Sequence, residues 1–253
     1  MPTDRATLRR ALLTLCLAVG CVPGVAAAQS AGWDGRVRIA INGGIQIGSD
    51  TPTQSFSLQK NAEPEPITVG IDAKRGGLFD AGIVVRVRGQ FGIGVSTSFV
   101  THESNADVSA SVPHPFFFNQ PRSVSGTTPA SRSEIAGHVD AVYIVPGRSL
   151  DLLLSAGPSV LAIDQTLVTD VAYAETYPYD TATFTSAVSA HAKKTAIGYH
   201  AGADVTWKLS GRVGLGGMVR YTRATATLSP APGNNVTDHA GGLQAGGGLR
   251  IGF

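Results

Sequence analysis

Strict alternation of apolar and polar residues recurs along this chain, and it limits the possible folds more than any other feature. In the stretch LFDAGIVVRVR, Phe79, Ile83 and Val85 fall on one face of an extended strand, while Asp80 and Arg86 fall on the other. Eight segments repeat this pattern over about 9–11 residues, the length that a tilted strand needs to cross a bilayer. The pattern therefore predicts β-strands and not helices.

The connections between these segments alternate between short and long. Tight turns are predicted around Gly89, Gly147 and Gly211. Long polar stretches that contain proline separate the other segments, at residues 49–76, 104–130, 165–190 and 227–238. Short turns at one end and long loops at the other are typical of an antiparallel up-and-down barrel in a membrane.

The composition of the two strand faces indicates which face meets lipid. One face carries mostly Ile, Val and Leu, while the other carries glycine, serine, alanine and charges of both signs. A soluble barrel buries its apolar face, whereas a membrane barrel turns it outward. We therefore predict an all-β fold, a closed antiparallel up-and-down transmembrane β-barrel of eight strands over residues 29–253. Ten strands are the alternative if SFSLQ and ITVGID, within residues 49–76, join the ring, but we expect this pair to extend the wall beyond the membrane.

Charged and histidine side chains on the polar face are predicted to meet inside the barrel. An eight-stranded barrel is just wide enough for side chains to fill it, so opposite charges there should pair. The residues predicted to form this lumen charge network are Arg38, Asp80, Arg86, Arg88, Glu134, His138, Asp140, Lys194, His200, Asp204, Arg220 and Arg250. A metal site at the histidines is conceivable, but hydrogen-bonded histidines are far commoner in a wet charged lumen, so we expect no metal and no cofactor.

The N-terminal segment has the features of a secretory signal peptide. Three arginines precede the apolar stretch ALLTLCLAVGCV, and residues 26–28 offer a cleavage site before Gln29. We predict that residues 1–28 are removed on export. The alternative is a lipoprotein signal with Cys21 as the lipidated residue.

Removal of residues 1–28 leaves a chain without cysteine and without net charge. The basic count falls from 20 to 17 and the acidic count falls from 18 to 17, because three arginines and one aspartate are lost. Disulfide chemistry is thereby excluded from the exported chain. A neutral chain gives no electrostatic reason to expect nucleic acid as a partner.

The last residues, LQAGGGLRIGF, continue the alternation to Phe253. Closure of a barrel pairs the last strand with the first and leaves no unsatisfied strand edge in hydrocarbon. In this pattern and ending the chain resembles the small outer-membrane β-barrel proteins, OmpA- and OmpX-like in the broad sense. The resemblance implies outer-membrane lipid as the surroundings. It also implies that the barrel-assembly machinery reads the C-terminal strand through Phe253.

The stretch FVTHESNAD is similar to the His-x-Ser-Asn-Ala stretch of the PagL-like lipid A deacylases, which are also eight-stranded barrels. That resemblance implies His102 as the general base, Ser104 as the nucleophile and Asn105 as an oxyanion donor. However, the stretch follows the third strand instead of lying near the C-terminal strands, and no carboxylate is suitably spaced to orient the imidazole. We therefore expect a polar strand end that leads into a loop, and no enzymatic activity.

Two of the predicted loops carry several aromatic side chains. Three phenylalanines are consecutive in VPHPFFFNQP, within residues 104–130, and three tyrosines lie in AYAETYPYD, within residues 165–190. These loops could bind an extracellular ligand or dip into the outer leaflet, whereas a loop folded over the barrel mouth would bury its own aromatic residues. The predicted function is a structural or interaction barrel with long surface loops and a charge-plugged lumen. A small passive channel and a PagL-like deacylase are the alternatives.

Overall fold

The computed structural model describes residues 35–48, 53–71, 75–231 and 234–253. The predicted signal peptide and its cleavage site lie outside these residues. Within them, no helix is long and apolar enough to span a membrane. The strands are β1 Val37–Gly48, β2 Thr53–Lys60, β3 Glu63–Ile71, β4 Gly76–Arg88, β5 Phe91–Val112, β6 Arg122–Val145, β7 Leu150–Glu175, β8 Ala182–Lys208, β9 Val213–Ala231 and β10 Asn234–Gly252.

Eight of these strands close into an antiparallel ring, as the sequence predicts. The order around the ring is β1, β4, β5, β6, β7, β8, β9 and β10, and β10 returns to β1. At this seam the pairing runs from Arg38 opposite Gly252 to Gly48 opposite Gly242. Every strand of the ring therefore has a neighbour on both sides, which is what a strand needs where no water can satisfy its backbone.

The strands β2 and β3 form a hairpin outside the ring, and the ten-stranded alternative is wrong. The hairpin pairs with β5 from Ile67 opposite Ala110 to Ile71 opposite Ala106. This part of β5 lies farther from the short turns than the part that pairs with β4. The hairpin thus continues the wall above the end of β4. This arrangement confirms the prediction that the segment extends the barrel.

The outer surface of the ring carries a band of exposed apolar side chains. Ile93 is 61% exposed and Ile197 is 79% exposed, whereas the interior residue Arg250 is 0% exposed. Other members of this apolar band are Ile41, Phe79, Val95, Phe99, Ile135, Val139, Val160, Val219 and Leu249. The inverted distribution of polarity predicted for a membrane barrel is therefore present.

The strands are much longer than predicted, because most of the predicted loops are strand. β7 has 26 residues and β8 has 27, and residues 104–130 form a hairpin whose connection spans only residues 113–121. Likewise, residues 176–181 form the connection within 165–190. The prediction of long irregular loops is wrong there. The alternation continues through these segments, but the chemistry of the two faces is exchanged.

The exchange of faces is clearest along β5. Near the start of the strand, Phe91 and Ile93 point outward, and Ser98 is buried inside. Beyond residue 105 the inward positions are apolar, with Ala106 and Val108 buried, and the outward positions are polar. The side chains keep their alternation, so the same face that is polar inside the ring becomes an apolar core beyond it.

Two sheets pack face to face beyond the ring, and we call them the hairpin-end sandwich. β6 pairs with β7 only as far as Arg132 opposite Gln165, so above this pair the sheet of β2, β3, β5 and β6 separates from the β7–β8 hairpin. Their inward faces meet in an apolar cluster. It contains Ile67, Val69, Ile71, Ala106, Val108, Ala110, Val112, Val124, Ala130, Val168 and Val171, with Phe184 and Tyr173 packed against it.

Candidate functional site

Ion pairs occupy the barrel interior near the short turns, where inward positions of β1, β7, β8 and β10 face one another. Arg38 Nη2 lies 2.8 Å from Asp151 Oδ2, and Lys208 Nζ lies 2.8 Å from Asp151 Oδ1. Arg250 Nε donates to Asp204 Oδ2 at 3.1 Å. These charges are paired across the barrel, as a narrow lumen requires. The sequence pattern places Asp151 and Lys208 on the polar strand face, and the structure pairs both inside the barrel.

A second set of charges lies one layer farther from the short turns. Arg220 Nη1 donates to Asp80 Oδ2 at 2.7 Å, and Asn42 Nδ2 donates to Asp80 Oδ1 at 2.9 Å. A cavity of about 60 Å³ borders both layers and has space for a few water molecules. The interior is not purely polar, since Val142, Ile144 and other apolar side chains form small clusters beside these ions.

Histidine and serine side chains form a continuous hydrogen-bonded chain in the same layer. Ser98 Oγ lies 3.2 Å from His138 Nε2, and His138 Nδ1 lies 2.8 Å from Ser159 Oγ. Ser159 Oγ lies 2.9 Å from His200 Nδ1, and His200 Nε2 lies 2.8 Å from Asp140 Oδ1. The sequence predicted both histidines and Asp140 to face the lumen, but it did not single out the two serines that join them.

These hydrogen-bonded side chains include serine, histidine and aspartate in contact, yet their geometry does not suit a hydrolase. Ser159 is 1% exposed, so a substrate carbonyl has no access to its hydroxyl. The hydroxyl is also shared between two imidazoles instead of facing one general base. Among the residues that the structure describes, no group of three or more histidine, cysteine or acidic side chains could hold a metal ion.

A third layer of charges lies toward the hairpin end of the ring. Arg132 Nε donates to Glu134 Oε1 at 2.6 Å, and Arg132 also pairs with Asp238. Gln46 Nε2 donates to Glu134 Oε2 at 3.1 Å. The sequence predicted Glu134, but Asp238 fell in a predicted loop and Arg132 at the edge of another, so their inward direction was missed.

Two residues predicted for the lumen network lie outside it. Arg88 is exposed in the region of the β4–β5 turn, because the register shifts between Arg86 and Arg88 and ends the alternation there. Lys194 is exposed and forms no ion pair within the described part of the chain, since β8 pairs with β9 only from Gly198 onward. Arg86 is half-buried and lines the interior close to the short turns.

The three residues that resemble a deacylase motif lie on β5 near the exchange of faces. His102 and Ser104 occupy inward, half-buried positions, and Asn105 is exposed on the opposite face of the strand. Neighbouring residues of a strand point to opposite sides, so the Asn105 amide cannot stabilise an oxyanion formed at Ser104.

The tips of two hairpins are held together by buried polar side chains. Arg122 Nη1 donates to Tyr179 O at 2.9 Å, and Arg122 Nη2 donates to Pro113 O at 3.0 Å. His114 Nδ1 accepts hydrogen bonds from the backbone N–H groups of Phe116 and Phe117, at 3.1 and 3.2 Å. The backbone that carries the phenylalanines is thus fixed by several hydrogen bonds.

Four of the five aromatic side chains at these tips are exposed, and Tyr179 is half-buried. Phe116 is 68% exposed and packs edge-on against Tyr179, with ring centroids 5.5 Å apart, while Phe117, Phe118 and Tyr177 are also exposed. We call these five residues the aromatic tip. The alternative in which the loop buries its own phenylalanines is therefore wrong. The tip begins after Val112, which is 13 residues beyond Phe99 on β5. With a rise of about 3.3 Å per residue and a strand tilt of about 45°, this corresponds to roughly 30 Å along the barrel axis. The tip is therefore too far away to dip into a leaflet around the apolar band.

The closed ring, its exposed apolar band and its paired interior charges occur together in this structure. The fold is that of the small outer-membrane β-barrel proteins. No protein-family model matches the sequence, and no curated protein matches it.

Several solved outer-membrane structures are similar to this fold. Neisserial surface protein A is 11% identical, with 86% of this chain and 97% of that chain covered and a TM-score of 0.46. OprG from Pseudomonas aeruginosa is 11% identical, with coverages of 87% and 97% and a TM-score of 0.46. The outer membrane protease OmpT from Escherichia coli is 9% identical, with coverages of 89% and 99% and a TM-score of 0.47. The assignment of fold rests on the chain's own closure and polarity.

Proposed function

We propose that the protein is an outer-membrane barrel of structural or interaction type, without a catalytic site. The apolar band would lie in lipid, the short turns would face the periplasm, and the hairpin-end sandwich would project outside the cell. The exposed Ile, Val and Phe side chains of the band support this placement, because they can be exposed at low cost only in hydrocarbon.

One observation carries the proposal: the interior changes from paired ions to an apolar core along the barrel. Ion pairs and hydrogen bonds cross the interior at the level of the apolar band. Farther along, buried side chains such as Leu161 and Ile163, and then Val108 and Val171, form apolar clusters. A path for ions would have to break the ion pairs and then cross apolar packing, so we infer a lumen plugged against conduction.

Planar bilayer recording tests this lumen. The purified protein should give no steady current steps at potentials up to 100 mV, in preparations where gel analysis confirms a folded barrel. Steady, voltage-independent steps from the folded protein would contradict the plug and favour the small passive channel.

The absence of lipid-modifying activity has its own test. Expression in a bacterium that carries hexa-acylated lipid A should leave its mass spectrum unchanged, and His102→Ala should give the same spectrum. Loss of one acyl chain with the original chain, and its return with His102→Ala, would establish the deacylase alternative.

The location and processing are tested by fractionation. We expect the protein in the outer-membrane fraction, with a folded band that shifts on a gel after boiling, and with Gln29 as its first residue. A lipid-modified N-terminus at Cys21 would support the lipoprotein alternative. Interaction of the C-terminal strand, including Phe253, with the barrel-assembly machinery is expected from the resemblance, and crosslinking from that strand during assembly tests it.

We also propose that the aromatic tip contacts an extracellular ligand. The tip belongs to the two predicted binding segments, 104–130 and 165–190, and its exposed rings are presented on a backbone fixed by hydrogen bonds. Cells that display the protein should bind to phenyl-coated beads, and the triple variant Phe116→Ser, Phe117→Ser, Phe118→Ser should lose this binding. Equal binding by both would remove the tip as the contact site.

A further inference from the structure

Four exposed arginines lie at the short-turn end of the barrel. Arg36 precedes β1, Arg88 lies where β4 meets β5, Arg148 lies between β6 and β7, and Arg212 lies between β8 and β9. None of these guanidinium groups forms an ion pair or a hydrogen bond within the described residues. We call these four residues the arginine ring.

The positions of the arginine ring follow the circumference of the barrel. In ring order, the three turns lie at the boundaries β4–β5, β6–β7 and β8–β9, and Arg36 lies at the boundary where β10 meets β1. Every second strand boundary therefore carries one arginine. Groups spread around a rim cannot converge on one soluble anion, but each can meet a separate molecule that surrounds the barrel.

Few negative charges oppose the ring. In the described structure near these turns, Asp151 is buried and Asp204 is partly buried, and both are paired with interior cations. Among the described residues at this end, these two are the acidic side chains, and in the sequence Asp34 precedes Arg36. The rim therefore carries excess positive charge although the exported chain is predicted to be neutral.

A girdle of aromatic side chains borders the arginine ring on the outer surface. Phe91, Tyr143, Trp207 and Phe253 are exposed there, and Phe91 packs edge-on against Tyr143 with centroids 5.3 Å apart. Arg88 is the register partner of Phe91, next to the turn. Because aromatic girdles lie at the level of lipid headgroups, the adjacent guanidinium groups are at the depth of the phosphates.

We propose that the arginine ring binds the phosphate groups of anionic phospholipids in the leaflet around the short turns. This inference rests on the proposed membrane location. Guanidinium stays charged at any physiological pH and binds phosphate through two parallel hydrogen bonds. Each basic group near an anionic membrane surface raises lipid association about fivefold. The ring thus recruits a shell of anionic lipid and fixes the barrel at the headgroup level.

Fluorescence quenching by brominated lipids tests the proposal, because Trp207 is exposed in the girdle. Trp33→Phe leaves Trp207 as the single tryptophan. The mature protein is reconstituted in mixtures of phosphatidylcholine and phosphatidylglycerol, with one lipid brominated at a time. We expect phosphatidylglycerol to associate at Trp207 at least about threefold more strongly than phosphatidylcholine. The variant with Gln at positions 36, 88, 148 and 212 should reduce this ratio to about one.

The controls separate the inference from the proposed location. Lys193→Gln with Lys194→Gln removes two exposed cations far from the short turns and should leave the ratio unchanged. A gel shift after boiling verifies that each variant is folded, and the pair Arg88→Gln, Arg148→Gln should give an intermediate ratio. Equal quenching by both lipids in the Trp33→Phe protein with all four arginines overturns the proposed lipid binding. Loss of the preference for phosphatidylglycerol in 10 mM inorganic phosphate overturns it as well. Quenching by neither lipid would instead contradict the membrane location.

Discussion

Val37 and Phe253 exchange two backbone hydrogen bonds, with N–O distances of 2.9 and 3.2 Å, where the last strand meets the first. The final residue of the chain is therefore part of the barrel wall. Its carbonyl and amide groups would otherwise have no partner at the edge of an open sheet. This explains why the alternation continues to the end of the sequence.

Deletion of Phe253 should destabilise the barrel more than its mutation to alanine. The deletion removes both hydrogen bonds, each worth about 0.5–1.5 kcal/mol, while Phe253→Ala keeps the backbone that forms them. The temperature at which the folded gel band disappears, for protein refolded in detergent, measures the difference. Equal losses for the two variants would show that the side chain, and not the seam, determines stability.

Asp80→Asn should be strongly destabilising, because it leaves the buried Arg220 without its carboxylate partner. Loss of one member of a buried pair costs about 3–5 kcal/mol. Urea unfolding from lipid vesicles measures the free energy of unfolding. Asp164→Asn is the matched control, because its pair with Lys193 is partly exposed and should contribute at most about 1 kcal/mol. A similar cost for both variants would contradict a tightly packed lumen.

Gly126→Val should open the hairpin-end sandwich and leave the ring intact. A β-carbon at Gly126 meets the Phe184 ring, so the two sheets must separate to accept the larger side chain. Limited proteolysis should then cut the β7–β8 hairpin at least about tenfold faster, because the packing that protects it is lost. Gly137→Val on the same strand is the control, since nothing lies within 4 Å of its added β-carbon. Faster cutting in the control would implicate the strand and not the sheet contact.

Glu65 should make the β2–β3 hairpin less stable as the pH rises. Its carboxylate is fully buried without a hydrogen bond in the described structure, and Lys60 Nζ is 3.9 Å away. Burial raises the pKa of Glu65 above its usual 4.5, and the charge of Lys60 opposes this shift without cancelling it. The folded hairpin therefore holds the proton more tightly than the unfolded one. Its stabilisation is complete below the unfolded pKa and is lost as the pH rises through the folded pKa.

Glu65→Gln should remove this dependence. Hydrogen exchange of residues 53–71 should be slower in the variant than in the original chain at pH 8, and the two should converge near pH 4. Each unit by which burial raises the pKa corresponds to about tenfold in protection. Glu103→Gln, at an exposed position of β5, should leave the exchange of residues 53–71 unchanged at both pH 8 and pH 4. A variant that exchanges faster than the original chain at pH 8 would show that the carboxylate stabilises the hairpin.

The part of the fold that lies in the apolar band was predictable from the sequence. There, bulky apolar residues such as Phe91 and Ile93 alternate with glycine and serine. Beyond the band, the stretch ADVSASV at residues 106–112 alternates equally well. There, however, the apolar residues alanine and valine occupy even-numbered positions and the polar residues occupy odd-numbered ones. That exchange was the available signal for the sandwich, and small polar residues made it resemble a loop.

The partners within the lumen could not be predicted from the sequence. Arg38 and Asp151 are 113 residues apart, and their contact depends on how the closed ring aligns opposite strands. Ser159 was missed because the stretch LDLLLSAGPSVLA alternates irregularly. Inward direction follows from local periodicity, whereas the choice of partner depends on the stagger of the whole ring.

The exchange of faces along β5 allows the protein only one vertical position in a bilayer. If the barrel moved so that hydrocarbon reached past Phe99, it would meet Glu103 and Asp107 on the outer surface. If it moved the other way, Ile93 and Phe91 would enter water. A single strand thereby encodes both a hydrocarbon-facing wall and the height at which that wall must stop.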